Sequence, residues 1–273
     1  MRRAHGDSNY TPTKQRHLQM ICDGCTNGWR SLCTLKPDSL LVVIDSTAGS
    51  GHSKEGAAGL PLILNRHFAK HFHDNFRQLC CEKDKPNFEN LSKESLVNCD
   101  IIHGEYQQVI LPWLCNLRWS GRFHGLIYCD PNGIVDALAG VDLFKQLQSD
   151  YRFDRIDLLF NISLNAYKRH KSPGVIKKTY HDDPPEWLTV PLIEHLDNLA
   201  ALKKATYIRS EEGRLLEFIM LYGMNTAKVS LKRSTENIVH YEEWRKNAEK
   251  YLNGGIKVSP FQKGLFDESP NGL

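Results

Sequence analysis

Two periods of hydrophobicity alternate along this chain. Leu40-Leu41-Val42-Val43-Ile44 is an unbroken apolar run that closes on Asp45, the pattern of a strand buried on both faces. Similar runs predict strands over 76–82, 99–103, 125–130 and 156–163. Between them, apolar residues recur at spacings of three and four, which predicts helices. One leads in at Gly59-Leu60-Pro61-Leu62 and runs to about Asn75; the next has Pro86 in its first turn and runs through Leu96. Two more are expected over 107–117 and 136–149. Upstream, Lys14, His17, Leu18, Ile21 and Cys22 fall on one face of a helix within 11–33. Downstream, 166–187 carries Pro173-Gly174 and Pro184-Pro185 and is predicted to be a polar loop or insertion. A helix over 191–204, an antiparallel pair at 215–222 and 228–233, and a closing helix over 241–252 complete the expectation.

Strands that alternate with helices at this spacing imply βαβ crossovers and a sheet covered on both faces. The predicted fold is therefore α/β and Rossmann-like, doubly wound around a mostly parallel sheet of seven strands. Residues 37–252 form its domain, with 1–36 as a helical extension and 253–273 as a loose tail.

Composition changes this picture little. The chain has 273 residues, 41% hydrophobic and 25% charged, which is ordinary for a globular protein. No apolar run is long enough to span a bilayer, and the basic start lacks the apolar stretch of a secretory signal. A cytoplasmic location without membrane association is expected. Eight cysteines in a chain of this length do not resemble a disulfide framework. The net charge of +3 says nothing by itself about a nucleic-acid partner.

The chemistry gathers at strand ends. In sheets of this type ligands bind outside the carboxyl ends of the strands, at the point where the strand order reverses. Asp45, Glu82, Glu105, Asp130 and Asn161 all fall at that edge. After Asp45 comes Ser46-Thr47-Ala48-Gly49-Ser50-Gly51, a turn whose glycines let backbone approach a ligand closely. Alone the turn fits a tight connection with no ligand; with Glu82 in phase it favours a nucleoside-type ligand. Other constellations are weaker. His17, Cys22, Cys25 and Cys33 contain a single Cys-x-x-Cys half-site, and core packing accounts for it better; no metal is expected. Ser46, Ser50 and Ser53 with His52 define no triad, and His67, His71 and His73 fit a solvated helix face.

In order, Asp45-x-x-Ala48-Gly49-Ser50-Gly51, Glu82-Lys83-Asp84, Gly104-Glu105 and Asp130-Pro131-Asn132-Gly133 resemble the class I methyltransferase fold. More narrowly, with Gly59-Leu60-Pro61-Leu62, Leu159-Phe160-Asn161-Ile162 and Tyr167-Lys168-Arg169, they resemble the three-Cys-motif partner family of bacteria and phages, over residues 14–233. The resemblance implies S-adenosylmethionine as cofactor. Asp45 would lie near its amino group, and Ala48, Gly49, Ser50 and Gly51 against its methionine part. Glu82 would accept from the ribose hydroxyls, followed by Lys83, and Glu105 would edge the adenine. Asp130, Pro131 and Asn132 would form the catalytic floor. Gly133 departs from the pattern, because amino-group methyltransferases of nucleic acids carry an aromatic residue there.

Tyr167-Lys168-Arg169-His170-Lys171 is the densest basic stretch. It follows the fifth strand, so Tyr167, Lys168, Arg169 and Lys171 are the expected nucleic-acid contacts, for DNA or RNA; a solvated loop is the plain alternative. The implied function is methylation of nucleic acid or of a nucleic-acid-associated substrate. The alternative is a non-catalytic subunit of a phage or bacterial defence complex, binding nucleic acid or a protein partner encoded nearby.

Overall fold

The computed structural model describes residues 11–163 apart from 37, 54, 131–139, 141, 145 and 148, with the backbone of 202–208, 218–223 and 238–240. One sheet organises them. Its strands are β1 (Leu40–Asp45), β2 (Phe76–Glu82), β3 (Cys99–His103), β4 (Phe123–Cys129), β5 (Arg155–Ser163), β6 (Leu202–Ile208), β7 (Phe218–Gly223) and β8 (Ile238–His240). The spatial order is β3-β2-β1-β4-β5-β7-β6-β8. The first five run parallel, while β7 is antiparallel to β5 and β6 is antiparallel to both β7 and β8.

The described sheet therefore has eight strands where the sequence pattern predicts seven. The expected antiparallel pair is also built differently. Phe218–Gly223 is a strand as expected, but its partner is Leu202–Ile208, which overlaps the end of the stretch predicted as helix over 191–204. Leu202-Lys203-Lys204-Ala205 suits a helix as well as a strand by local propensity, and pairing with β7 decides it. The stretches 228–233 and 241–252 lie outside the described residues.

All six β1 residues are buried, as a central strand requires. At Gly125 of β4 (φ 136°) an added Cβ would fall 1.8 Å from the Val42 carbonyl oxygen. Only glycine lets β4 lie this close to β1 there.

Helices cover both faces. On one side lie α1 (Thr11–Leu35), α2 (Leu60–Phe72) and α3 (Lys85–Leu91). Leu18, Ile21, Cys22, Cys25 and Trp29 of α1 share one apolar cluster with Leu64, Phe68 and Phe72 of α2. The same cluster holds Leu41, Val43, Phe76, Leu126, Tyr128 and Leu159 of the sheet. Gln78, fully buried in β2, is satisfied by Asn65 of α2 at 2.8 Å and by the Pro61 carbonyl at 3.1 Å. On the other side α4 (Tyr106–Asn116) packs with Trp113 Nε1 donating to Asp100 at 2.8 Å. No helix among the described residues is long and apolar enough to cross a membrane.

Candidate functional site

The strand order reverses between β1 and β4, and the site is built where their carboxyl ends part. Asp45 ends β1, Asp130 follows β4, and Glu82 ends β2 next door. In the register Asp45 pairs with Cys80 on one side and Tyr128 on the other. Three carboxylates thus meet at one edge because three parallel strands stop at one level.

Asp45 is wholly buried. Its Oδ1 accepts the Thr47 N–H at 3.2 Å, and its Oδ2 has no hydrogen-bond partner among the described residues. Burial pushes its carboxyl up from 3.8 to about 7. The Thr47 N–H opposes the shift, and the negative charges of Asp130 and Glu82 reinforce it. An orphaned carboxylate oxygen in a dry site demands a donor.

Glu82 does two structural jobs. Its Oε2 accepts the Gly49 N–H and its Oε1 accepts the Asp84 N–H, each at 2.7 Å. The carboxylate clamps the glycine turn after β1 to the loop after β2. A carboxylate has about four lone-pair sites, so two remain for a ligand.

The turn takes its shape from glycines at positive φ, Gly49 at 67° and Gly51 at 87°. Nothing lies within 4 Å of a Cβ added at Gly49, so its outer surface is open. At Gly51 the added Cβ would meet Leu91 Cδ1 at 3.0 Å and Leu62 Cδ1 at 3.1 Å. Ala48 is anchored through its N–H to the Cys81 carbonyl at 3.0 Å. Ser50 turns away, its hydroxyl donating to the His52 carbonyl at 2.9 Å.

Two residues set aside in the sequence pattern prove to fasten the site. Ser46 Oγ donates to the Tyr128 carbonyl at 2.7 Å. Thr47 Oγ1 accepts the Asp130 N–H at 3.2 Å. Together they stitch the turn after β1 to the end of β4, and the Tyr128 hydroxyl donates to Asp130 Oδ2 at 3.3 Å. A hydroxyl one and two places beyond a strand-ending carboxylate was the available signal.

Lys83 and Glu105 are brought together rather than onto the carboxylates. Their side chains pair at 3.6 Å, both about half exposed, and such a surface pair contributes little stability. Pro131, Asn132 and Gly133 lie outside the described residues, as do Tyr167, Lys168, Arg169 and Lys171, and so does the side chain of His17. Cys22 and Cys25 are buried in the α1 core, and no group of metal-ligating side chains stands among the described residues.

No protein-family model matches the chain, and no curated protein matches it either. Several solved structures overlap it. A protein from Legionella pneumophila does so at 12% identity and a TM-score of 0.47, over 85% of this chain and 92% of that one. Human methyltransferase-like protein 13 in complex with SAH does so at 13% identity and 0.41, over 88% and 92%. A TehB-like S-adenosylmethionine-dependent methyltransferase from Corynebacterium glutamicum gives 10% identity and 0.35, over 78% and 96%. Overlaps this loose carry no functional weight; the strand order and site geometry do.

Proposed function

We propose that the protein is an S-adenosylmethionine-dependent methyltransferase built on the class I fold. The observation that carries this reading is Asp45, fully buried at the switch point with Oδ2 unpartnered among the described residues. The ligand that satisfies it must bring a hydrogen-bond donor, preferably cationic. The amino group of S-adenosylmethionine is such a donor. The open turn at Gly49 suits a chain lying against backbone, and the free lone pairs of Glu82 suit a vicinal diol. These residues fit the cofactor.

When bound, S-adenosylmethionine would supply an electrophilic methyl group on a sulfonium centre. What the chain must do is position and exclude, because an in-line displacement needs alignment more than acid or base groups. Asp45 would hold the ammonium. Gly49, Ser50 and Gly51 would bound the methionine part, Glu82 the ribose, and Glu105 with Lys83 the outer rim. Asp130, oriented by the Tyr128 hydroxyl, would aim a substrate amine, with Pro131 and Asn132 directly beyond it in the chain.

Calorimetric titration with S-adenosylmethionine tests this. Micromolar binding is expected, and Asp45→Ala should weaken it about 10- to 100-fold, the loss of a charge-assisted hydrogen bond. Absence of binding to the wild-type protein would overturn the cofactor reading. The sheet would then be a binding platform, and the three-Cys-motif partner resemblance, which rests on the same motifs, would fall with it.

The substrate we propose is nucleic acid or a nucleic-acid-associated molecule. β5 runs parallel to β4, so it ends on the edge that holds Asp130. Tyr167 follows its last residue, Ser163, by four positions, a reach of at most about 14 Å. Lys168, Arg169 and Lys171 continue from there. If they contact phosphates, joint replacement of Lys168 and Arg169 by alanine should lower the slope of log affinity against log salt by about 1.4 for single strands. An unchanged slope would remove nucleic acid from the proposal.

A further inference from the structure

Asp45 is wholly enclosed and, among the described residues, incompletely satisfied. Its exposure is 0%. Among the described residues one oxygen is held by a single backbone N–H, and the other has no partner. Ionisable groups face it from both flanking strands. On β2 these are Cys80, Cys81 and Glu82, and at the end of β4 they are Tyr128, Cys129 and Asp130. The hydrogen bond with Cys99 and then burial drive the Cys80 thiol above its ordinary range, and burial does the same to the Cys81 thiol and the Tyr128 phenol and brings Cys129 up to about 12. They stay neutral near pH 7. The charges acting on Asp45 among the described residues are therefore Asp130 and Glu82, both carboxylates and both unfavourable to a third. No cation among the described residues acts on Asp45. A buried carboxyl with like charges on both sides and no counter-ion keeps its proton.

We propose that the site exchanges a proton for its ligand: Asp45 is substantially protonated in the free protein and releases that proton when an ammonium group docks on it. This rests on the cofactor reading above and adds its regulation by pH. The balance is simple. The carboxyl O–H bond breaks, the proton passes to solvent, and the carboxylate left behind forms a charge-assisted hydrogen bond to the ammonium. The ligand supplies the missing positive charge among three carboxylates, and no covalent step is involved.

The magnitude follows from linkage. With Asp45 titrating at about 7 in the free protein, affinity should fall about fivefold from pH 7 to pH 6 and approach tenfold per pH unit below that. Above about pH 8 an α-amino group loses its own proton, so affinity falls again. The profile is a bell whose acid limb belongs to the protein and whose alkaline limb belongs to the ligand.

Calorimetry at pH 7 in two buffers of different ionisation enthalpy reads the proton directly. S-adenosylmethionine should release about 0.4 proton per site at pH 7, the half proton from Asp45 less the fraction its own amino group takes up, and 5′-methylthioadenosine, which lacks the ammonium group, none. Asp45→Asn should bind more weakly and lose the acid limb while keeping the alkaline one. Wild-type binding of S-adenosylmethionine with no proton released, and equal affinity at pH 6 and 7, would overturn the exchange and leave the cofactor reading standing. Failure of the wild-type protein to bind S-adenosylmethionine at all would overturn both.

Discussion

Two buried ionisable side chains, one at each end of the parallel strands, pull stability in opposite directions with pH. Asp45 has its carboxyl raised from 3.8 to about 7 by burial. The folded state then binds the proton more tightly than the unfolded chain, so stability is lost as pH rises between those values. The cost is up to about 4 kcal/mol above pH 7. His124, near the amino end of β4, is 2% exposed, and neither ring nitrogen has a partner among the described residues. Burial lowers it from 6.5 to about 4, helped by the positive charges of Lys36, Arg155 and Arg122 and opposed by Asp154. Its sign is the reverse: stability is lost as pH falls from 6.5 towards 4, by at most about 3 kcal/mol. Thermal unfolding of the ligand-free protein across pH 4–8 checks both. Asp45→Asn should raise the melting temperature at pH 8, and His124→Leu should raise it at pH 4.5 while leaving pH 7.5 nearly unchanged. Unaltered pH profiles in the two variants would mean that neither side chain titrates as its burial requires.

Among the elements, α1 is the one whose role the sequence understated. The three- and four-residue spacing of its apolar positions shows a helix but not what that helix packs on. In the structure its apolar face lies in the principal core cluster, with Trp29 1% exposed and its ring centroid 5.8 Å from that of Phe68. The helix forms one of the layers over the sheet. Trp29→Ala should therefore cost about 3–5 kcal/mol in urea unfolding; a loss below 1 kcal/mol would show that α1 is an appendage. The parallel elements were more legible. β2 and β3 have the bounds their apolar runs predict, because turn formers punctuate them closely. Helix α3 stops at Leu91, short of the expected Leu96; its Asp84 cap is readable in sequence, but nothing local marks its end.

For the molecule as a whole, the sequence by itself determined the parallel half of the sheet and the edge at which its carboxylates stand. Hydrophobic period and turn residues are local properties, and five apolar runs separated by helical patterns leave few ways to wind. It also determined that Asp45 and Glu82 each end a strand. Only the tertiary structure decided what those groups do. Glu82 spends two of its lone pairs on the Gly49 and Asp84 amides, a contact between loops 33 residues apart that no spacing rule reveals. Thr47 and Ser46 bind the end of β4 more than 80 positions away. The antiparallel strands β6 and β8 likewise depend on pairing between distant segments, and their residues suit more than one local structure. Burial, too, is collective. The proton on Asp45 is set by the dielectric and the like charges that three strands create where they stop together, and a sequence names those residues without placing them side by side.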